Sequence, residues 1–179
     1  MLSGDANVPV GLLDCYACYR RSTPMFGQGS PVANVMVVAE VPSLLSRLTQ
    51  WGLPASTRVT WAVRCPSPEP ATTVQAALCG PWVGAEVRHI CPFLIIAVGK
   101  LASRCFLGPV PDAAPYSGWY SYRPGEVAVP WAPLWLKVRG YNRDSQTIIV
   151  YAIEDSSNSI RDDYEIRKFV EACGLDLRS

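Results

Sequence analysis

At 179 residues and 19.6 kDa the chain has the length of one ordinary domain, enough to bury a continuous core without disulfide staples. Hydrophobic residues make up 49% and charged residues 17%, which excludes the disordered class, and a net charge of +1 excludes a uniformly basic nucleic-acid coat or a polybasic membrane anchor. No run of about 18 apolar residues occurs, and MLSGDANVPVG lacks a basic segment followed by an apolar one, so a soluble intracellular protein is expected, cytoplasmic or nucleoid-associated, with no membrane partner.

From the N-terminus, Cys15 and Cys18 form a C-x2-C pair on or beside a helical turn. Seven cysteines, an odd number, suit metal or cluster ligands plus buried thiols better than a disulfide set. Two thiolates spaced by two residues can reach one soft metal centre, iron-sulfur or zinc, and Cys65 and Cys79 are further candidates. Four short apolar runs, Val35 to Val41, Arg58 to Cys65, Phe93 to Gly99 and Thr147 to Ile153, are nearly continuous in hydrophobicity and rich in β-branched residues. That is the pattern of parallel strands covered on both faces.

Helical spacing falls between the strands. Ser43 to Gly52 places Leu44, Leu45, Leu48 and Trp51 on a short crossover helix; Thr72 to about Arg88 is a second, with Gly80-Pro81 expected to kink or divide it; Lys100 to Leu107 is a third, closed by Gly108 and Pro109. Ser159 to Cys173 is the last. The alternation implies a single domain over residues 1–179, a three-layer α/β/α sandwich on a small central parallel sheet of about four strands. Residues 109–146 break the rhythm with a proline-rich, aromatic stretch, expected as a hairpin-like excursion. Charge is unevenly spread: residues 1–99 sum to +1, 100–143 to +4 and 144–179 to −4. Trp119 and Tyr120 interleaved with Arg123, Lys137, Arg139 and Arg143 are what a single-stranded nucleic acid needs, rings for bases and cations for phosphates. The same stretch also suits a proline-rich cover over a sheet edge.

The run Phe26 to Pro42 following the cysteine pair closely resembles the family 4 (4Fe-4S) uracil-DNA glycosylases, with Ala39, Glu40, Val41, Pro42 and Ser43 standing at that family's Gly-Glu-Ala-Pro-Gly motif. Val59 to Pro66 is similar to the strand carrying the third cluster cysteine, Cys79 and Phe93 to Ala102 to the fourth cysteine and third strand, and Val150 to Arg161 to the closing strand and His-Pro-Ser loop, with Arg161 matching a basic residue there. The resemblance implies a uracil-DNA glycosylase-like fold and a 4Fe-4S cluster, with zinc as the alternative, on Cys15, Cys18, Cys65 and Cys79. Cys91, Cys105 and Cys173 match no ligand position.

Three departures bear on the chemistry the resemblance implies. Pro42 passes almost directly into the Leu44 helix, omitting the loop that stacks on uracil; Trp61 stands where the family has a base-reading Asn; and Asp155 replaces the His that favours the departing anion. Glu40 matches the family's acid, or serves as a helix-capping remnant. The leading expectation is a cluster-bearing relative that has lost uracil excision and binds DNA or docks into a replication or repair assembly with a protein partner. An N-glycosylase of altered specificity using Glu40 and a protonated Asp155 is the second, and a protein-interaction module the third.

Overall fold

A computed structural model describes residues 15, 24–40, 51–108, 118–124, 129–130, 148–153 and 160–172. Six strands form one sheet in the order β2-β1-β3-β6-β4-β5. The four expected runs supply β1 (Val35–Ala39), β2 (Arg58–Trp61), β3 (Leu94–Val98) and β6 (Ile148–Ile153), all mutually parallel, with Val38 opposite both Thr60 and Ala97, and Ala97 opposite Ala152. Every residue of the four is buried, the reason their sequences carry no polar alternation.

Alternate side chains define two cores. Met36, Val38, Ile95, Ala97 and Val150 face α1 (Thr73–Ile90) and α2 (Lys100–Leu107), whereas Val35, Val37, Ile96, Val98 and Tyr151 pack with Trp51 and with Ile166, Phe169 and Val170 of α3 (Ile160–Ala172). Helices therefore cover both faces, as an α/β sandwich requires. No helix among the described residues is long and apolar enough to cross a membrane.

The sequence reading needs two corrections here. Gly80-Pro81 does not divide α1, which runs unbroken over 18 residues. A capping box closes its start, the Gln75 N–H donating to Thr72 Oγ1 and the Thr72 N–H to Gln75 Oε1, and Ala76, Cys79, Val83, Val87 and Ile90 all enter the same core. Packing of both halves on one face outweighs the proline penalty of about 3 kcal/mol.

The second correction concerns the sheet, which holds six strands rather than about four and is not wholly parallel: residues 118–122 and 129–130, within the hairpin-like stretch expected at 109–146, join its edge. Strand β4 (Gly118–Tyr122) pairs antiparallel with β6 along its whole length, and β5 (Val129–Pro130) pairs antiparallel with β4. The sheet is thus mixed, four parallel strands extended by a hairpin. The expected helix at Ser43 to Gly52 lies mostly outside the described residues; of it, Trp51 is fully buried and Gly52 takes φ +64.

Candidate functional site

In an open sheet, ligands gather beyond the carboxyl ends of the parallel strands, where neighbouring strands send their connections to opposite faces. Strands β1 and β3 meet that condition. The chain leaving β1 reaches Trp51 in the core on the α3 side, while β3 leads directly into α2 on the other. Glu40 stands at this point, one residue past β1, with its N–H donating to Val98 O at 3.1 Å.

The carboxylate of Glu40 is engaged by the fold. Its Oε2 accepts the backbone N–H of Leu101 in the first turn of α2 at 3.2 Å, satisfying one of the orphan donors of a helix whose N-cap, Gly99, has no side chain to do so. Gly99 adopts φ +94, and a Cβ there would lie 2.8 Å from the Glu40 Cβ. A glycine is needed both for the backbone angle and for the approach of the carboxylate. The sequence reading has Glu40 capping the next helix in the chain; the carboxylate does cap a helix, but it is α2, which follows β3.

Trp61, the last residue of β2, is 2% exposed and packed in the core on the α3 side. Asp155 lies outside the described residues, as do Cys18, Lys137, Arg139 and Arg143. For Arg161 only the backbone is placed, in the first turn of α3.

The aromatic strand separates its two candidate stacking residues. Trp119 is buried, its ring centroid 4.3 Å from Tyr151 and 4.4 Å from Phe169, so both neighbours occupy the ring that was expected to receive a base. The alternation of a strand with both faces covered, rather than a surface patch, explains the density of rings in Gly118–Tyr122. Tyr120 points to the opposite face and packs against the core of α1 and α2, half-buried, with burial pushing its hydroxyl pKa up. Arg123, just past β4, is exposed.

Of the cluster candidates, Cys15 and Cys65 are half-buried and Cys79 is buried on α1. Among the described residues no three His, Cys, Asp or Glu side chains form a metal-holding group, Cys18 lying outside them. Cys105, which matches no ligand position, lines with Thr73, Ala76, Gly80 and Arg104 a crevice of about 360 Å3 between α1 and α2. Burial pushes its thiol up to about 12, an effect increased by Cys79 and opposed by the guanidinium of Arg64.

Sequence reasoning missed a charged network behind the edge. Glu86 of α1 is buried; its Oε1 accepts Arg58 Nε at 2.8 Å, and its Oε2 accepts Thr60 Oγ1 at 2.8 Å and Arg64 Nη2. Arg58 continues to the carbonyl of Gly29 at 3.1 Å. Burial works to raise the Glu86 pKa, but the charge of Arg64 and the hydrogen bonds from Arg64, Thr60 and Arg58 outweigh it and hold the carboxyl below its ordinary value of 4.5. The available signal was two arginines flanking an otherwise apolar strand, each needing a buried partner. No protein-family model matches the chain.

Proposed function

We propose that this chain is a relative of the 4Fe-4S uracil-DNA glycosylases that no longer excises uracil and acts as a DNA-binding or accessory subunit of a nucleic-acid-processing assembly, in contact with a protein partner. One observation carries the reading: at the carboxyl edge of the sheet, Trp61 is buried in the core and Glu40 caps α2, so the two residues standing at base-reading and acidic positions of the resemblance are engaged in holding the fold. Excision demands a cleft that clamps the flipped base and donors aimed at the departing anion. Side chains committed to the core and to a helix terminus supply neither.

The cluster is proposed on Cys15, Cys18, Cys65 and Cys79 as a structural tie between the N-terminal segment, the segment that follows β2, and α1. Four thiolates suit a 4Fe-4S centre, and the same donors would take zinc. DNA contact, in this reading, rests on cations rather than rings, since Trp119 is taken up by Tyr151 and Phe169. The +4 stretch 100–143 carries it, with exposed Arg123 and with Lys137, Arg139 and Arg143, and Arg161 is a further candidate. Binding of this kind is insensitive to base sequence and falls steeply with salt.

Titration of a labelled single-stranded oligonucleotide by anisotropy at several salt concentrations tests the DNA contact. The expected result is salt-dependent binding whose slope drops by roughly one in Arg139→Glu. Absence of salt-dependent binding by the parent would overturn it and assign the chain to protein interaction alone.

A further inference from the structure

Helix α1 carries apolar side chains on its outer face as well as on its inner one. Val74, Ala77, Leu78 and Pro81 follow one another at three- and four-residue spacing, which sets them in a single stripe, and all four are exposed, Val74 at 66% and Leu78 at 39%. No residue from Pro70 to Ala85 bears a charge. A helix on the surface of a globular domain ordinarily turns charged groups outward, and one that is apolar all round is ordinarily covered. Beside the stripe, and sharing Ala77 with it, runs the crevice of about 360 Å3 between α1 and α2, whose α1 wall is built of small residues. A Cβ added at Gly80 would meet nothing within 4 Å, so the groove stands open at that point.

The charge around this groove has one sign. Among residues 70–108 the single acid is Glu86, buried and paired with Arg58 and Arg64. Arg104 lines the crevice, and Arg88 is exposed further along the same face of α1, its guanidinium 3.5 Å from where a Cβ of Gly84 would stand. We propose that the outer face of α1 and the crevice beside it form a docking groove for an acidic amphipathic helix of a partner protein. Its apolar side chains lie along Val74, Ala77, Leu78 and Pro81, and its flanking carboxylates meet Arg88 and Arg104. The small residues Ala76, Ala77 and Gly80 let the backbone of such a helix come close, and α1, at 18 residues and about 27 Å, offers length for about five turns. A second copy of this chain would bring the same cations to the groove, so like charge opposes self-pairing. A nucleic-acid strand would use the cations but leave the aliphatic stripe exposed. The inference gives the chemistry of the protein partner in the proposed function and depends on neither the cluster nor the DNA contact.

The test titrates the full chain with two labelled synthetic peptides of the length of α1, both with leucines at i, i+3, i+4 and i+7 spacing, one flanked by glutamate and the other by lysine. Anisotropy is expected to show binding of the glutamate peptide and binding at least tenfold weaker of the lysine peptide. The double variant Val74→Gln/Leu78→Gln, altered only at exposed positions, should bind the glutamate peptide at least tenfold more weakly than the parent, and Arg88→Glu should reduce the preference between the peptides. No binding of the glutamate peptide, equal binding of both peptides, or undiminished binding by the double variant would overturn the proposal. So would self-association of the parent in sedimentation that the double variant loses, which gives the groove to a second copy. Comparison of the two peptides on the parent needs no variant, so it decides even where a substitution unfolds the chain. The oligonucleotide titration is repeated with the double variant, and DNA binding equal to the parent's is expected. A parent that binds the glutamate peptide but no DNA loses the DNA contact and keeps the groove. Loss of DNA binding in Arg88→Glu, with no peptide bound by the parent, assigns the cations to nucleic acid and overturns the groove.

Discussion

Two carboxylates, Glu40 and Glu86, stand in two polar regions that one sheet holds in very different ways. Glu40 lies at the open carboxyl edge, half-buried, with the Leu101 N–H as a helix-terminus donor; Glu86 lies inside, held by Arg58, Arg64 and Thr60. A carboxylate at a helix start is worth little and can be lost with little harm to the fold. A buried carboxylate flanked by two guanidinium groups is costly to disturb, because its removal strands both charges away from water. The edge is where a family resemblance directs attention, but the fully buried charges lie in the interior network.

The comparison is broken most directly at Glu86. Glu86→Gln is expected to destabilise the fold by about 4–5 kcal/mol in a denaturant titration. The sign with pH follows from the lowered folded pKa: the contribution of Glu86 is complete above its ordinary value of 4.5 and is lost as pH falls through the lower folded value. The gap between parent and variant should therefore be widest near neutrality and close on acidification below about 4.5. A gap independent of pH would show that the charge of Glu86 is not what the network uses.

Trp119→Ala is expected to cost about 3–4 kcal/mol of stability, the loss of a large buried ring between Tyr151 and Phe169. A surface stacking residue would instead leave the thermal midpoint untouched and weaken only single-strand binding. Calorimetry of the variant distinguishes the two. The smallest effect belongs to the edge: Glu40→Ala should cost about 1 kcal/mol, the loss of one helix cap, with the remaining fold unaltered by circular dichroism.

How far the sequence carried the fold depends on the range over which each signal acts. The parallel strands and α2 were legible because their determinants are local: continuous apolar runs of β-branched residues, and Gly108 closing a periodic segment. Glu40 was legible as a residue that ends a strand, but not as the cap of α2, whose Leu101 lies 61 residues further along the chain. The Glu86 network was not, since residues 58, 64 and 86 become neighbours only once α1 has folded back across the sheet. The misreading of Trp119 had another origin. In Gly118–Tyr122 the rings divide between the two faces of a strand, Trp119 entering the core on the α3 side and Tyr120 and Tyr122 packing on the side of α1 and α2, whereas the flanking prolines and arginines suit an exposed aromatic surface. Pro81 misled similarly, since local propensity says nothing of the core contacts that hold both halves of α1 to one face.

Under the proposed function, Glu40 and Trp61 hold the fold and perform no base excision. This is tested most directly by incubating the anaerobically purified protein with a uracil-containing oligonucleotide, single- and double-stranded, and measuring abasic sites by alkaline cleavage, alongside Glu40→Ala. No cleavage above the protein-free background is expected with either protein. Abasic-site formation by the parent that Glu40→Ala abolishes, with the variant still folded, would contradict it.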